Sequence, residues 1–122
     1  MMGRVDAGAI DVVMDHDARF CEGGGALHGG AVTAGMDTAC ASCAVTLLPQ
    51  GWSLVTAELK TSFLRPALGD SYRFEGRVLK PGRSLIFTEG RCWAITGERA
   101  VLAATMTATM AVIRPKHSGE TS

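Results

Sequence analysis

The chain has 122 residues, which suits one domain and is too short for two independent cores. Hydrophobic residues make up 47% and charged residues 20%, a globular composition that excludes a disordered tail protein. Twelve Lys plus Arg balance twelve Asp plus Glu, so no net positive field recruits nucleic acid.

The opening MMGRVDAGAIDVVMDHD has no basic stretch followed by an apolar one. No secretory leader is predicted from it, and Cys21, Cys40, Cys43 and Cys92 are expected as reduced thiols in the cytoplasm. Uncharged runs at 100–113 and 23–36 are shorter than the roughly 18–20 residues a membrane-crossing helix needs. Residues 9–13 are apolar and β-branched enough for a strand, after which Asp15, His16, Asp17 and the run Gly23-Gly24-Gly25 impose a loop. From residue 29 to 48 the only charge is Asp37, and Pro49-Gln50-Gly51 follows, so a helix is predicted over 29–48. Its apolar residues keep to no single stripe, the pattern of a helix wrapped by other structure.

Beyond Gly51 the period changes to two. Val55, Ala57, Leu59, Thr61 and Phe63 alternate with Thr56, Glu58, Lys60 and Ser62, and residues 65–70 turn the chain. Tyr72, Phe74, Gly76 and Val78 then alternate with Arg73, Glu75 and Arg77, up to a turn at Lys80-Pro81-Gly82-Arg83. A strand over 85–96 carries Leu85, Phe87, Arg91, Trp93 and Ile95 on one face, and a last strand over 100–113 sets Leu102, Ala104, Met106, Ala108, Met110 and Val112 on another. Residues 114–122 read as a flexible polar tail on a single domain spanning 1–122, with its core at about 5–113. Four strands joined by hairpin-length turns pair antiparallel, and one such sheet with a single apolar helix makes a core by curling around that helix. The expected class is α+β. Long half-apolar strands leave exposed edges, so the sheet is expected to continue across a subunit boundary.

Asp37 is the sharpest chemical signal, because it is the only side chain charged at neutral pH between His28 and Glu58 and lies mid-helix. A buried carboxylate costs several kcal/mol unless it is paired, hydrogen-bonded or beside a wet cleft; it is therefore either a structural acceptor or a catalytic or ligand-contacting group. Leu27-His28-Gly29-Gly30 opens the helix without a Ser, Thr, Asp or Asn cap. The free first amides suit a developing oxyanion, although a glycine pair also serves as a plain tight turn. His28 is a positioned loop side chain or a base. Gly29 and Asp37 are roughly 12 Å apart along a helix, while reacting atoms must meet within about 3 to 3.5 Å. One carbonyl cannot touch both in one chain, so the site is expected to combine two chains at a dimer interface.

The stretches HGGAVTAGMDTA, VTAELKTSFLRPALGD, LKPGRS and VLAATMTATMAVI resemble the hot-dog-fold acyl-CoA thioesterases, in particular the phenylacetyl-CoA thioesterase-like branch of the 4-hydroxybenzoyl-CoA thioesterase superfamily. The likeness covers about residues 5–113. It implies a long central helix wrapped by a curved antiparallel sheet, with dimers that pair into homotetramers. By position, Asp37 is similar to the family's nucleophile or general base for thioester hydrolysis. Gly29 matches the backbone donor that polarises the carbonyl, and Thr56 a hydroxyl residue that helps hold the attacking water. Six residues before His28, where the family usually carries an Asn or similar amide, this chain carries Glu22, a departure on the leaving-group side.

The same resemblance implies coenzyme A phosphates near Lys80, Gly82 and Arg83, with Arg65 as a further basic contact. It implies an apolar tunnel between subunits, walled by Met36, Leu59, Phe63 and the Met106/Met110 face, beside Gly30. The spacing of Cys40-Ala41-Ser42-Cys43 lies mid-helix without the strand a redox motif needs and without a second pair to hold zinc, so it reads as packing. His16 and His117 suggest no metal cluster. The expected activity is acyl-CoA hydrolysis with no metal and no cofactor beyond the coenzyme A of the substrate, and with no nucleic-acid or membrane partner. The alternatives are a non-catalytic acyl-CoA or lipid-binding module of the same fold and, less in keeping with these residues, a hydratase or dehydratase.

Overall fold

Alternating strands and one uncharged helix dictate a two-layer arrangement, and a computed structural model describes it for residues 2–115. Strands β1 (Met2–Asp6) and β2 (Ala9–Asp15) form a hairpin. A single 3-10 turn, Ala18–Phe20, leads to helix α1 (Gly29–Val45), and β3 (Ser53–Phe63), β4 (Ser71–Lys80), β5 (Leu85–Thr96) and β6 (Arg99–Ile113) follow. All pairings are antiparallel, in the order β1-β2-β4-β5-β6-β3. The expected α+β architecture is thus present, with β1 as an additional strand that the composition of residues 2–6 did not signal.

The core lies between the sheet and one side of α1. Tyr72 and Phe74 of β4, Ile86 and Cys92 of β5, and Met106 and Met110 of β6 pack against Val32, Met36, Ala39, Cys40, Cys43 and Ala44, all buried. Small residues let the layers approach. At Gly76 a Cβ would fall on the Ala39 carbonyl oxygen, well inside contact distance, so the middle of β4 touches the helix backbone and only glycine fits. Buried beside that core, Thr88 donates its hydroxyl to the Ala108 carbonyl at 2.9 Å.

Three expectations need correction. The helix ends at Val45 rather than 48, because Thr46 turns its hydroxyl back onto the Cys43 carbonyl at 2.6 Å and accepts the Gly8 N–H at 2.7 Å. The helix is not wrapped all round within one chain, since Gly30, Ala34, Thr38 and Val45 are exposed. The alternation of β3 is broken at Ala57, where Thr56 pairs with Met110 but Glu58 pairs with Thr109. This bulge places Thr56 on the same side as Leu59, Thr61 and Phe63, which lie opposite Ala108, Met106 and Ala104. Of the tail predicted over 114–122, residues 116–122, with His117, lie outside the described residues, and Arg114 is not loose: its guanidinium lies 5.4 Å from the Trp52 ring centroid.

Candidate active site

The approach to α1 is fixed by backbone bonds. Asp17 caps the 3-10 turn, accepting the Arg19 N–H at 3.0 Å. Its carboxyl is held down to about 2, chiefly by the side-chain hydrogen bond from Arg19, so the cap remains ionised until strongly acid pH. The glycine run closes on itself: the Glu22 N–H reaches the Ala26 carbonyl at 2.8 Å, and the Gly25 N–H reaches the Glu22 carbonyl at 2.9 Å. Gly25 takes a left-handed φ of 87°, which glycine adopts without strain. Leu27 N–H then bonds Ala67 O at 3.0 Å and His28 N–H bonds Phe20 O at 2.8 Å. The chain therefore enters α1 at a set angle. His28 supplies no side-chain cap, and the N–H groups of Gly29, Gly30 and Ala31 have no partner among the described residues.

Strand β3 runs beside α1 in the opposite sense, so three contacts follow in order. At the helix N-terminus the Phe63 ring stands 3.3 Å from where a Gly29 Cβ would be. One turn on, the Thr33 hydroxyl meets that of Thr61 at 3.4 Å. Two turns on, the Thr56 hydroxyl donates to Asp37 Oδ1 at 2.8 Å and lies 3.4 Å from Met110 Sδ. Asp37 is half-buried at the rim of the helix, where its carboxylate keeps access to water and gains a fixed donor. The bulge at Ala57 is what makes this pair, because an unbroken alternation from Phe63 would turn Thr56 outward.

A cleft of about 330 Å³ opens at the Gly29 end, bounded by Glu22, Leu27, Gly29, Phe63, Arg65 and Ala67. Ala103 O accepts the N–H groups of Leu64 and Arg65 at 2.8 and 3.2 Å, which sets the backbone of that wall. Glu22, Gly29, Phe63 and Arg65 are thus gathered, with exposed His28 and Gly30 beside them. Asp37 and Thr56 are not among them; they lie two helical turns away in the same chain. The turn carrying Lys80, Gly82 and Arg83 is exposed at the Asp37 end, because Met110 pairs with both Thr56 and Ile86. Met36 is fully buried in the core and lines neither end, so a wall role for it finds no surface in a single chain.

The C-x-x-C pair packs as expected. Burial pushes the Cys40 thiol up to about 11 and those of Cys43 and Cys92 to about 12, and all four cysteines are free. Among the described residues no group of His, Cys, Asp and Glu is placed to hold a metal, and no helix is long and apolar enough to cross a membrane. One feature escaped the sequence reading: a second, larger cleft between α1 and β2, where Ala31, Ala34, Gly35 and Thr38 face Val12, Met14, Phe20 and Phe74. Its signal was the i, i+3, i+4, i+7 spacing of those four small helix residues.

The chain matches the model of the family described as the Thioesterase superfamily over residues 24–101. It is 32% identical over 85 residues to a candidate esterase of Saccharolobus solfataricus, SSO2140, a match covering 70% of this chain and 60% of that relative's length. The crystal structure of a thioesterase family protein from Silicibacter pomeroyi superposes with a TM-score of 0.91 at 31% identity, over 93% of this chain and 84% of the other. The Bacillus halodurans protein BH2602, solved with CoA, superposes with a TM-score of 0.77 at 25% identity, over 84% of this chain and 66% of the other. The curved sheet on one central helix is therefore the hot-dog fold, and the chain belongs to the Thioesterase superfamily.

Proposed function

We propose that the protein hydrolyses acyl-CoA thioesters to the free acid and coenzyme A. The observation that carries this reading is the Asp37 carboxylate, held at 2.8 Å by Thr56 at a solvent-accessible rim, on the same helix as the unpartnered Gly29 amide. The Gly29 N–H would polarise the thioester carbonyl and hold the oxyanion as the tetrahedral centre forms. Asp37 would either attack the carbonyl carbon or take the proton of an attacking water. Collapse of the intermediate breaks the C–S bond and expels the coenzyme A thiolate, which gains a proton from solvent or the base; where Asp37 is the nucleophile this leaves a mixed anhydride, which a water then hydrolyses to the free acid and the Asp37 carboxylate. Glu22, on the wall of the Gly29 cleft, stands on the leaving-group side in place of an amide. Water and the thioester suffice for this scheme, without metal or redox cofactor.

The separation of the two groups makes the site a shared one. β3 is an edge strand paired only with β6, and its Val55, Leu59 and Phe63 are 51%, 40% and 57% exposed, an edge that invites a second copy. An antiparallel partner along β3 would bring Asp37 of one chain to the Gly29 of the other, giving a homodimer with two equivalent sites and, through a further pairing, a homotetramer. The same two-fold would carry Lys80, Gly82 and Arg83 of one chain toward the Arg65 end of its partner, where coenzyme A phosphates need cations. The superposition with a CoA-bound protein supports that ligand class, and four free cysteines suit a reducing compartment such as the cytoplasm.

The test is thiol release from a panel of acyl-CoA esters by wild type and Asp37→Asn. Hydrolysis that falls by about a hundredfold or more in the variant is expected. Undiminished turnover would remove Asp37 from the mechanism, and thermal stabilisation by the same esters without turnover would replace the enzyme with a binding module.

A further inference from the structure

The Thr56 hydroxyl has one hydrogen and two acceptors. It donates to Asp37 Oδ1 at 2.8 Å, and Met110 Sδ lies within its reach at 3.4 Å. A thioether accepts weakly, and the larger radius of sulfur makes 3.4 Å a bonding separation. The register places it there: Met110 is the cross-strand partner of Thr56, beside the bulge at Ala57 that turns Thr56 toward the helix. Met110 is fully buried and pairs on its other side with Ile86, so the core fixes where its sulfur stands. Leucine or isoleucine would fill such a core position with fewer rotamers to freeze; what methionine adds is an acceptor aimed at a hydroxyl of the candidate site.

Which acceptor holds the hydrogen depends on the charge of Asp37. An ionised carboxylate is much the stronger acceptor and keeps it. Once Asp37 has taken the proton of an attacking water, that proton sits on a carboxyl oxygen, the hydroxide has added to the carbonyl carbon, and the pull on the Thr56 hydrogen weakens. A protonated Oδ1 becomes a donor toward Thr56 Oγ1. The Thr56 hydrogen must then point elsewhere, because a half-buried hydroxyl without an acceptor would cost free energy just as the intermediate forms. Among the described residues, Met110 Sδ is the other acceptor this hydroxyl reaches. Where Asp37 attacks directly, the mixed anhydride is uncharged and weakens the same bond.

We propose that Met110 is a positioning residue for the hydrolysis, its thioether receiving the Thr56 hydrogen while Asp37 is uncharged and giving it back when the carboxylate is restored. This rests on the thioesterase reading above. No bond breaks in the move: the hydroxyl turns about its C–O bond and keeps its own hydrogen, and the proton gained by Asp37 leaves to the thiolate or to solvent. Fully buried, Met110 offers no surface to a substrate in a single chain and acts through Thr56 alone.

The test is a double-mutant cycle in kcat and KM, on an acyl-CoA ester that wild type hydrolyses, with Met110→Leu, Thr56→Val and the two combined. Leucine conserves the volume and removes the acceptor. Met110→Leu is expected to lower kcat by about three- to tenfold, the size of one weak hydrogen bond, with KM within about twofold. In the Thr56→Val background the same substitution is expected to change kcat by less than about twofold, because no hydroxyl remains to be received. Where Met110→Leu does not fold, Met110→Ile, β-branched as strands favour, completes the cycle. An equal loss in both backgrounds, or no loss in either, overturns the role of Met110 and leaves the thioesterase reading standing. No hydrolysis of any acyl-CoA ester by wild type overturns both.

Discussion

Asp37 owes its place to one hydrogen bond and one irregularity. On an uncharged helix its carboxylate could have been a buried liability; instead it sits at the rim and accepts the Thr56 hydroxyl at 2.8 Å. A hydroxyl donated to a carboxylate fixes the rotamer and leaves the second oxygen free for a proton or a carbonyl carbon, which is what a positioned base requires. Thr56→Ser keeps the donor and is expected to keep activity within a few-fold. Thr56→Val keeps the shape and loses the donor, and is expected to lower kcat by about tenfold, the equivalent of one charge-assisted hydrogen bond. Steady-state kinetics on one thioester decides it: equal rates for Ser and Val would reduce Thr56 to a packing residue. The thiols offer a contrast at this scale. Cys40, Cys43 and Cys92 are buried with thiols raised to about 11 or 12, whereas Cys21 is half-buried on the loop. A thiol reagent at pH 8 is expected to label Cys21 alone in the native protein and all four in denaturant. Because these three acids ionise less readily folded than unfolded, their contribution to stability is complete below about pH 9 and is lost as pH rises toward 11 to 12. The melting temperature should therefore fall across that alkaline window.

At the scale of elements, the contact of β4 with α1 is set by glycine. Gly76→Ala would drive a methyl group into the Ala39 carbonyl, backbone against backbone with nothing flexible to yield, and is expected to destabilise by about 1–3 kcal/mol or more. Gly30→Ala is the control: it meets nothing within 4 Å on the first turn of α1, and should be neutral or stabilise by up to about 1 kcal/mol. Denaturant unfolding of both measures the difference, and comparable midpoints would mean that the layers can separate without cost. Much of this level was legible in the sequence. Tyr72, Phe74 and Gly76 alternate with charges and face the helix as read, and the even-numbered residues 104–110 line the core. The breaks in period were not legible. The bulge at Ala57 arises from how β3 meets β6, two residues against one, and a run of Val, Thr, Ala and Glu states nothing about its partner strand. The inner face of β5 was equally hidden, because Ile86, Thr88, Gly90, Cys92 and Ala94 are less apolar as a set than Leu85, Phe87 and Trp93, which the sheet leaves on its outer side. His28-Gly29-Gly30 and Asp37 were readable because each breaks a local rule, a helix start without a cap and a charge in an uncharged helix; the α1–β2 cleft breaks none, and the spacing of Ala31, Ala34, Gly35 and Thr38 marks a face of small residues without saying what lies opposite it.

For the whole molecule, the proposal of a shared site rests on rigid spacing. α1 is continuous from Gly29 to Val45, so Gly29 and Asp37 of one chain stay roughly 12 Å apart along its axis and cannot serve one carbonyl. Under that proposal, two chains each broken at a different group would repair one another. Gly29→Pro removes the amide donor while suiting the first helical position, where proline's fixed φ belongs, and the Phe63 ring that faces a Cβ there at 3.3 Å is the mobile end of a side chain. Asp37→Asn removes the proposed nucleophile or base and keeps the shape. Alone, each variant is expected to be nearly inactive. Mixed in equal amounts and allowed to exchange subunits, half of the dimers would carry one of each chain, and in these one site would hold both defects and the other neither. Activity should return to about one quarter of wild type, rising with the time allowed for exchange. If each site were built within a single chain, every site in the mixture would still lack one group and activity would stay at the level of the separate variants, whatever the extent of exchange.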